Sequence, residues 1–457
     1  MEVRFNLDNC IFNRNGDWAA FLYTDYRRYS SAKLHMKKLS KDKERLFSNV
    51  SSLTILQIFT YILPLITLPY LVSVLGIEVF GQVVFAQALM VYFSLIVDFG
   101  FGFSATREIA INRDNQEKIG EIYGSVICIK LILTVVSFFI FAIIVFSFDK
   151  FSQEWELYYL TFLSVVAQAI FPVWFFQGME KMKYITIINI LSRVLFTVLI
   201  FVVINNEADY LYVPVLNSLG MFVGGLASIL IVRNKFRQKI KLYSYEILKK
   251  YFLDSKQFFV SRIAVSIYTS SNIFILGLFT NNTIVGYYSI ADKLYQAMQQ
   301  VYQPLASALY PYMSKEKNIK FFKKIFYSVT TLNILAITIV FFFSQHILDI
   351  LFTSSITDET LKIFHILLFS CIIVVPSIMI GYPFLSALGY SNYANNSVIY
   401  ASIFHLLGLG ILMIFNSVDA YSVAYLVILT QSLDLGYRLY AINKYKLWVK
   451  KAPCVEF

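Results

Sequence analysis

Stretches of apolar residues long enough to cross a bilayer follow one another from Leu53 to Ile442, interrupted only by short polar breaks. A spanning helix needs roughly 20 such residues, and in hydrocarbon only a helix or a closed barrel satisfies its own backbone hydrogen bonds. A barrel would read as segments of about ten residues with alternating hydrophobicity, and these runs do not alternate. The chain is therefore expected to be all-α and polytopic. Its composition agrees, because 58% hydrophobic and 15% charged residues make more apolar surface than one soluble core could bury.

Twelve spans are expected, near residues 47–75, 80–98, 119–146, 157–177, 184–204, 210–232, 257–279, 284–312, 321–344, 361–386, 395–415 and 419–441. The odd-to-even turns, among them Gly76–Val79, Asn205–Asp209 and Thr280–Thr283, carry a single cation, Lys150. Almost all the other Lys and Arg lie on the opposite side, before Arg45, in Arg107–Lys118, at Lys181 and Lys183, and in Arg233–Lys256, Lys315–Lys324 and Arg438–Lys451. This bias places both termini in the cytoplasm, and the even number of spans agrees. The formal charge of +11 thus reports membrane orientation and not a nucleic-acid partner.

A shift of 205 residues without gaps lays the first two spans over the seventh and eighth. Phe80-Gly81 falls on Val285-Gly286, Gln57 on Arg262, Gln87 on Asp292 and Asp98 on Gln303. Six spans separate the copies, so both run in the same direction, which implies two six-helix lobes related by an axis along the membrane normal. Residues 36–232 are expected to form the N-lobe, 233–256 a basic cytoplasmic linker, 257–445 the C-lobe and 446–457 a cytoplasmic tail. The linker sets Ile240, Tyr243, Ile247, Leu248 and Tyr251 at helical spacing, as for a helix lying in the inner headgroup layer. Residues 1–35 carry no apolar run of signal-peptide length, whereas Met36 is followed by KKLSKDKERLF. The first 35 residues are therefore expected to be a non-native extension ahead of a start at Met36.

Charged groups inside these spans each cost at least about 2.5–3.5 kcal/mol, so they require a partner or water. Asp98, Lys130, Arg193, Arg262, Asp292 and Lys293 all fall within them. In the eighth span Asp292, Gln296, Gln299, Gln300 and Gln303 form one continuous polar face at helical spacing. Shorter stripes run along the second span (Gln87, Ser94, Asp98), the fifth (Asn189, Arg193, Thr197) and the seventh (Arg262, Ser266, Thr269). Four stripes can enclose a single wet cavity. Pairing across helix interfaces, for instance Asp292 with Arg262, is the alternative. Four cations against two anions suit an anionic cargo, and Arg is shaped to grip phosphate oxygens in pairs. Pro64 and Pro69, Pro304 and Pro311, and Pro376 and Pro383 each break a helical ladder and can supply bends.

Cys10, Cys128, Cys371 and Cys454 show no disulfide or zinc spacing. No P-loop, dinucleotide glycine pattern, HExxH or nucleophile elbow is present, so no cofactor is expected.

The block SNVSSLTILQIFTYILPLITLPYLVSVLGIEVFGQVVFAQ with DFGFGFSATREIA, and the later block SRIAVSIYTSSNIFILGLFTNNTIVGYYSIADKLYQAMQQVYQPL, resemble the O-antigen and polysaccharide flippases. Those belong to the multidrug/oligosaccharidyl-lipid/polysaccharide exporter superfamily, and the resemblance runs over roughly residues 37–445. It implies two lobes around a central cavity that opens alternately to cytoplasm and periplasm in the bacterial inner membrane. It implies as cargo an undecaprenyl-pyrophosphate-linked oligosaccharide repeat unit, whose lipid tail stays among the membrane lipids, and as neighbours the polysaccharide polymerase or ligase machinery. Asp98, Arg262, Asp292 and Lys293 would line the cavity, with Arg107 of the ATRE motif at its cytoplasmic mouth. The expected binding set is completed by Arg193, Lys130, Gln57, Gln87, Gln296 and Gln300. Coupling to a proton or sodium gradient is open, with Asp98 or Asp292 as its natural site.

Two other readings compete. A multidrug antiporter of the same superfamily would carry cationic cargo and favour an acidic cavity. A polyprenyl-sugar transferase would set catalytic groups in a large outer loop, yet the largest here, Gln345–Thr360, offers only His346, Asp349, Asp358 and Glu359, which read as a solvated rim.

Overall fold

The computed structural model describes residues 18–352 and 358–448, with side chains from residue 51 onward apart from residue 53 and a few along one helix near residues 261–269. Most of the N-terminal extension expected at 1–35 and most of the tail lie outside the described residues or their side chains. The chain falls into two compact units, Met1–Ser52 and Leu53–Phe457. The first is helical from Trp18. The second carries everything that follows.

All regular structure among the described residues is helical. Helix α1 (Trp18–Asp98) is divided at Gly76, whose φ of 73° and ψ of 166° fit glycine alone. The limbs before and after Gly76 are the first two expected spans. Then follow α2 (Phe101–Ile111), α3 (Gln116–Ser147), the short α4 (Asp149–Ser152), α5 (Trp155–Ile170), α6 (Val173–Gly178), α7 (Met182–Val203) and α8 (Tyr212–Lys235). The second half comprises α9 (Tyr245–Phe279), α10 (Asn282–Gln300), α11 (Gln303–Glu316), α12 (Ile319–Phe352), α13 (Asp358–Ile380), a π-helical turn at Gly381–Ser386, α14 (Ser391–Ile414) and α15 (Ala420–Lys444). Every expected span has its helix, so this is a polytopic membrane protein. Eight stretches among the described residues are long and apolar enough to cross a bilayer by that measure alone. It passes over α11, which has only 14 residues, and α9, α10 and α15, which carry charge, amide and histidine-binding groups in their interior.

The prolines differ in effect. Pro64 and Pro69 sit within α1 and Pro376 within α13 without ending them. Pro304 opens α11 after a break at Val301–Tyr302, and Pro383 lies in the π-helical turn.

Three apolar clusters fix the packing. One unites the ends of both halves at the odd-to-even turns, from Leu68, Phe85, Phe141 and Ile200 to Leu276, Tyr288, Leu367 and Val423. At the basic end the halves keep separate cores, one around Phe101, Tyr123 and Trp174 and the other around Met313, Phe322 and Phe384. The first turns of α9 join the former through Ile247, Leu248 and Tyr251.

That packing corrects the expected linker helix. Residues 237–244 are not helical, and the chain enters α9 directly at Tyr245. Gln238 is buried and donates to the Gln116 side chain at 2.7 Å. The segment straps across α3 because Gly120 and Gly124 leave room for Gln238, Lys241 and Tyr243. The apolar positions read as a lipid-facing stripe are thus divided: Tyr251 is buried in protein while Ile240 stays exposed.

At the apolar end the repeat becomes visible in space. A Cβ on Gly81 would overlap the Asn282 carbonyl oxygen, and one on Gly286 would overlap that of Ile77. Gly81 and Gly286 are one repeat apart, as are Ile77 and Asn282. Each copy therefore meets the other by the same contact, as a two-fold arrangement requires.

Candidate functional site

A cavity of about 370 Å³ lies toward the apolar end, within the range of roughly 300–1,000 Å³ usual for small-molecule sites. The first limb of α1 supplies Pro64 and Thr67, the second limb Gln87, α7 Asn189, Arg193 and Thr197, α8 Asn217, and α10 reaches across from the other half with Lys293. The whole polar stripe expected on α7 faces this space because residues four apart on a helix share a face. Arg193 and Lys293 thus come from opposite halves to line one cavity. Among the described residues neither has a carboxylate oxygen within 4.0 Å. Thr67, Ser192 and Asn217 also line the cavity; being uncharged and isolated, they carried no signal in the sequence.

A second cluster lies toward the basic end. Asp98 Oδ1 is 3.8 Å from Lys130 Nζ, and its Oδ2 is 3.3 Å from Arg262 Nη1. The Arg262 guanidinium also lies 5.8 Å from the Phe103 ring centre. Two cations around one anion leave a surplus charge on the more accessible partner, Arg262, whose side chain is 39% exposed. Lys130 was expected on the cavity wall, but it is fully buried and its ammonium is spent on Asp98. Nor does Arg262 pair with Asp292, the alternative weighed from sequence. Asp292 instead accepts a 2.6 Å hydrogen bond from Gln296 Nε2, one turn along α10.

Gln57 Nε2 donates to Gln300 Oε1 at 2.8 Å, joining α1 to α10. Gln57 and Arg262 are repeat mates, so the links α1 to α10 and α9 to α1 are the same crossing made twice. At the basic end the halves meet through amides and an ion pair, beside the Phe99 ring stacked on Phe252 and Phe259. The amide and ion-pair contacts of this seam exchange their bonds for water at little net cost, unlike the continuous apolar seal opposite. Arg107 lies beyond this seam on the surface, 3.0 Å from Glu108 and stacked 5.9 Å from the Phe258 ring centre.

Two polar groups escaped the sequence reading. Arg438, grouped with the cytoplasmic cations, is buried and 3.1 Å from Asp434. It donates to Ser397 Oγ, and Asp434 accepts from Ser377 Oγ at 2.6 Å. The i,i+4 spacing of the two charges in an apolar helix was the available signal. His405 is also buried, bonded to Asn272 and Thr430. In the outer loop Glu359 is held by Lys362 at 3.3 Å and by the Tyr421 hydroxyl, a structural use of a group the transferase reading would need free.

The profile of the family described as polysaccharide biosynthesis protein matches residues 46–317. The chain belongs to the polysaccharide biosynthesis protein family. Within its reach is a protein of Escherichia coli (strain K12), provisionally described as an O-antigen transporter, 31% identical over 277 residues that make up 60% of this chain and 66% of that one. A protein of Shigella dysenteriae with the same description is 31% identical over 272 residues, 58% of this chain and 66% of its own. The chain thus spans just under two thirds of either relative. Among solved structures, the fold of this polysaccharide biosynthesis protein is shared with an inward-facing multidrug resistance MATE family transporter of the MOP superfamily, at TM-score 0.65 and 15% identity over 88% of this chain and 100% of that one. The lipid II flippase MurJ in an inward closed conformation matches at TM-score 0.65 and 13% identity over 88% and 89%.

Proposed function

We propose that the protein is a flippase for undecaprenyl-pyrophosphate-linked O-antigen or polysaccharide repeat units, moving them from the cytoplasmic to the periplasmic leaflet of the inner membrane by alternating access. The observation that carries this reading is the pair Arg193 and Lys293, which line one cavity from opposite halves with no carboxylate oxygen within 4.0 Å among the described residues. In a low-dielectric wall two such cations favour an anion, and a pyrophosphate matches both. The family and the O-antigen transporter description of its relatives support the same cargo class.

With the basic end in the cytoplasm, the polar seam of Gln57, Gln300, Asp98 and Arg262 is the cytoplasmic gate and the apolar seal is the periplasmic one. The drug-antiporter reading would set cationic cargo against Arg193 and Lys293. The boundaries of the lobes, contacts with polymerase or ligase machinery and coupling to an ion gradient belong to the same proposal. Asp98, clamped between two cations, is poorly placed to take a third, which leaves Asp292 of the two carboxylates considered.

The test is complementation of strains lacking their own flippase. Arg193→Gln with Lys293→Gln is expected to abolish surface polysaccharide while the protein still reaches the membrane. Undiminished export by that double variant would overturn the reading.

A further inference from the structure

His405 on α14 is surrounded by three other helices. Its Nδ1 lies 2.8 Å from Thr430 Oγ1 on α15 and its Nε2 lies 2.7 Å from Asn272 Oδ1 on α9. Asn272 Nδ2 in turn donates to the Tyr288 hydroxyl on α10 at 3.0 Å. The Thr430 hydroxyl spends its one hydrogen on the Leu426 carbonyl at 2.7 Å, so toward the imidazole it can only accept. Nδ1 must therefore carry a hydrogen. With Nδ1 fixed as donor, a neutral ring leaves Nε2 an acceptor, whereas the partner it faces, an amide oxygen, is an acceptor too.

A second proton resolves that pairing as it stands, and turning the Asn272 amide over resolves it without one. With hydrogen on both nitrogens the ring donates to Thr430 and to Asn272 Oδ1, and the amide donates onward to Tyr288. Loss of the Nε2 proton to water requires the Asn272 amide to turn over, so that Nδ2 donates to Nε2 and Oδ1 accepts from the Tyr288 hydroxyl. We propose that His405 is a reversible proton-binding site whose protonation state is read out by the Asn272 amide and the Tyr288 hydroxyl. Asn272 is partly exposed while His405 is buried, so the proton passes on the Asn272 side.

The arrangement bears on movement because the four groups sit on four helices. Tyr288 lies one turn before Asp292 on α10, the helix that carries Lys293 into the cavity. A change in its hydrogen bonding acts on α9 and α10 together, the two helices whose repeat mates form the first limbs of the other half. Charged groups on the surrounding elements leave the site to His405 itself. Asp434 and Arg438 on α15 are bound to each other, Arg262 on α9 is committed to Asp98, and Asp292 on α10 is bonded to Gln296 with Lys293 beside it in sequence. The inference goes beyond the proposed cargo and does not depend on it.

Two measurements without cargo test it. Imidazole nitrogen NMR of the full chain in nanodiscs, its 4 histidines told apart by single His→Gln variants, is expected to show His405 as the Nδ1–H tautomer at high pH and doubly protonated at low pH. An Nε2–H tautomer, or a single form from about pH 5 to about pH 9, would overturn the proposal. Spin labels at Lys183→Cys and Ser314→Cys, in a chain with the native cysteines replaced by serine, report the separation of the basic ends. A pH-dependent shift in their distance distribution is expected with His405 intact and is expected to vanish in His405→Gln. A shift that survives in His405→Gln, or vanishes only in Asp292→Asn, would overturn it as well.

Discussion

Gly81 and Gly286 each press a bare backbone against the other's helix, one residue's missing Cβ facing the Asn282 carbonyl and the other's facing that of Ile77. The contact is reciprocal across a shift of 205 residues. It lies in the one apolar cluster that both halves share, so the closeness of two glycines sets how tightly that end can shut.

Gly81→Val and Gly286→Val are therefore each expected to hold the apolar end open. Forcing extra carbons into a packed site costs about 1–3 kcal/mol, which is roughly a fivefold to hundredfold shift toward the conformation that relieves it. Labelling of cysteines placed around the odd-to-even turns should accelerate in both variants and to a similar degree. A large effect at one glycine alone would argue against the two-fold arrangement.

Lys150, the one cation of the odd-to-even turns, spans the same seal. Its ammonium donates to the carbonyls of Leu278 and Thr280 at 3.2 and 2.9 Å and lies 5.7 Å from the Phe85 ring centre. It thus caps the negative end of α9, a helix packed largely with the other half beyond its first turns, where such contacts are worth about 0.3–1 kcal/mol and more when sheltered. Lys150→Met should loosen this end severalfold in the same labelling assay without lowering expression. Unchanged labelling would remove the latch.

The Asp98 cluster separates stability from transport. Asp98→Asn strands the buried Lys130 ammonium, and breaking a buried pair costs about 3–5 kcal/mol. Thermal unfolding should fall sharply in this variant and recover in part when Lys130→Met is added. Arg262→Gln, at a half-exposed side chain, should cost little stability and reduce transport. Equal destabilisation by Asp98→Asn and Arg262→Gln would contradict the assignment.

Much of this was legible in the sequence. The length of the apolar runs places a helix at each expected position, and the polar stripe of α7 and the repeat both recur in space. Hydropathy does not say which way a buried charge points. Lys130 and Arg193 look alike in their apolar runs, yet one serves Asp98 and the other faces the cavity, because the nearest carboxylate is a matter of helix packing. The linker misled for a related reason: its helical spacing is real only from Tyr245, and small residues on α3 capture what precedes it. His405 carried no signal because the partners Thr430 and Asn272 come from two other helices.

The central claim, that Arg193 and Lys293 together hold a pyrophosphate, is tested most directly by binding to the purified protein. Native mass spectrometry should find undecaprenyl pyrophosphate retained in preference to the monophosphate. Charge-assisted bonds contribute roughly 1.5–3 kcal/mol each, so Arg193→Gln with Lys293→Gln should weaken retention by roughly a hundredfold or more. Equal retention by wild type and the double variant would contradict the account.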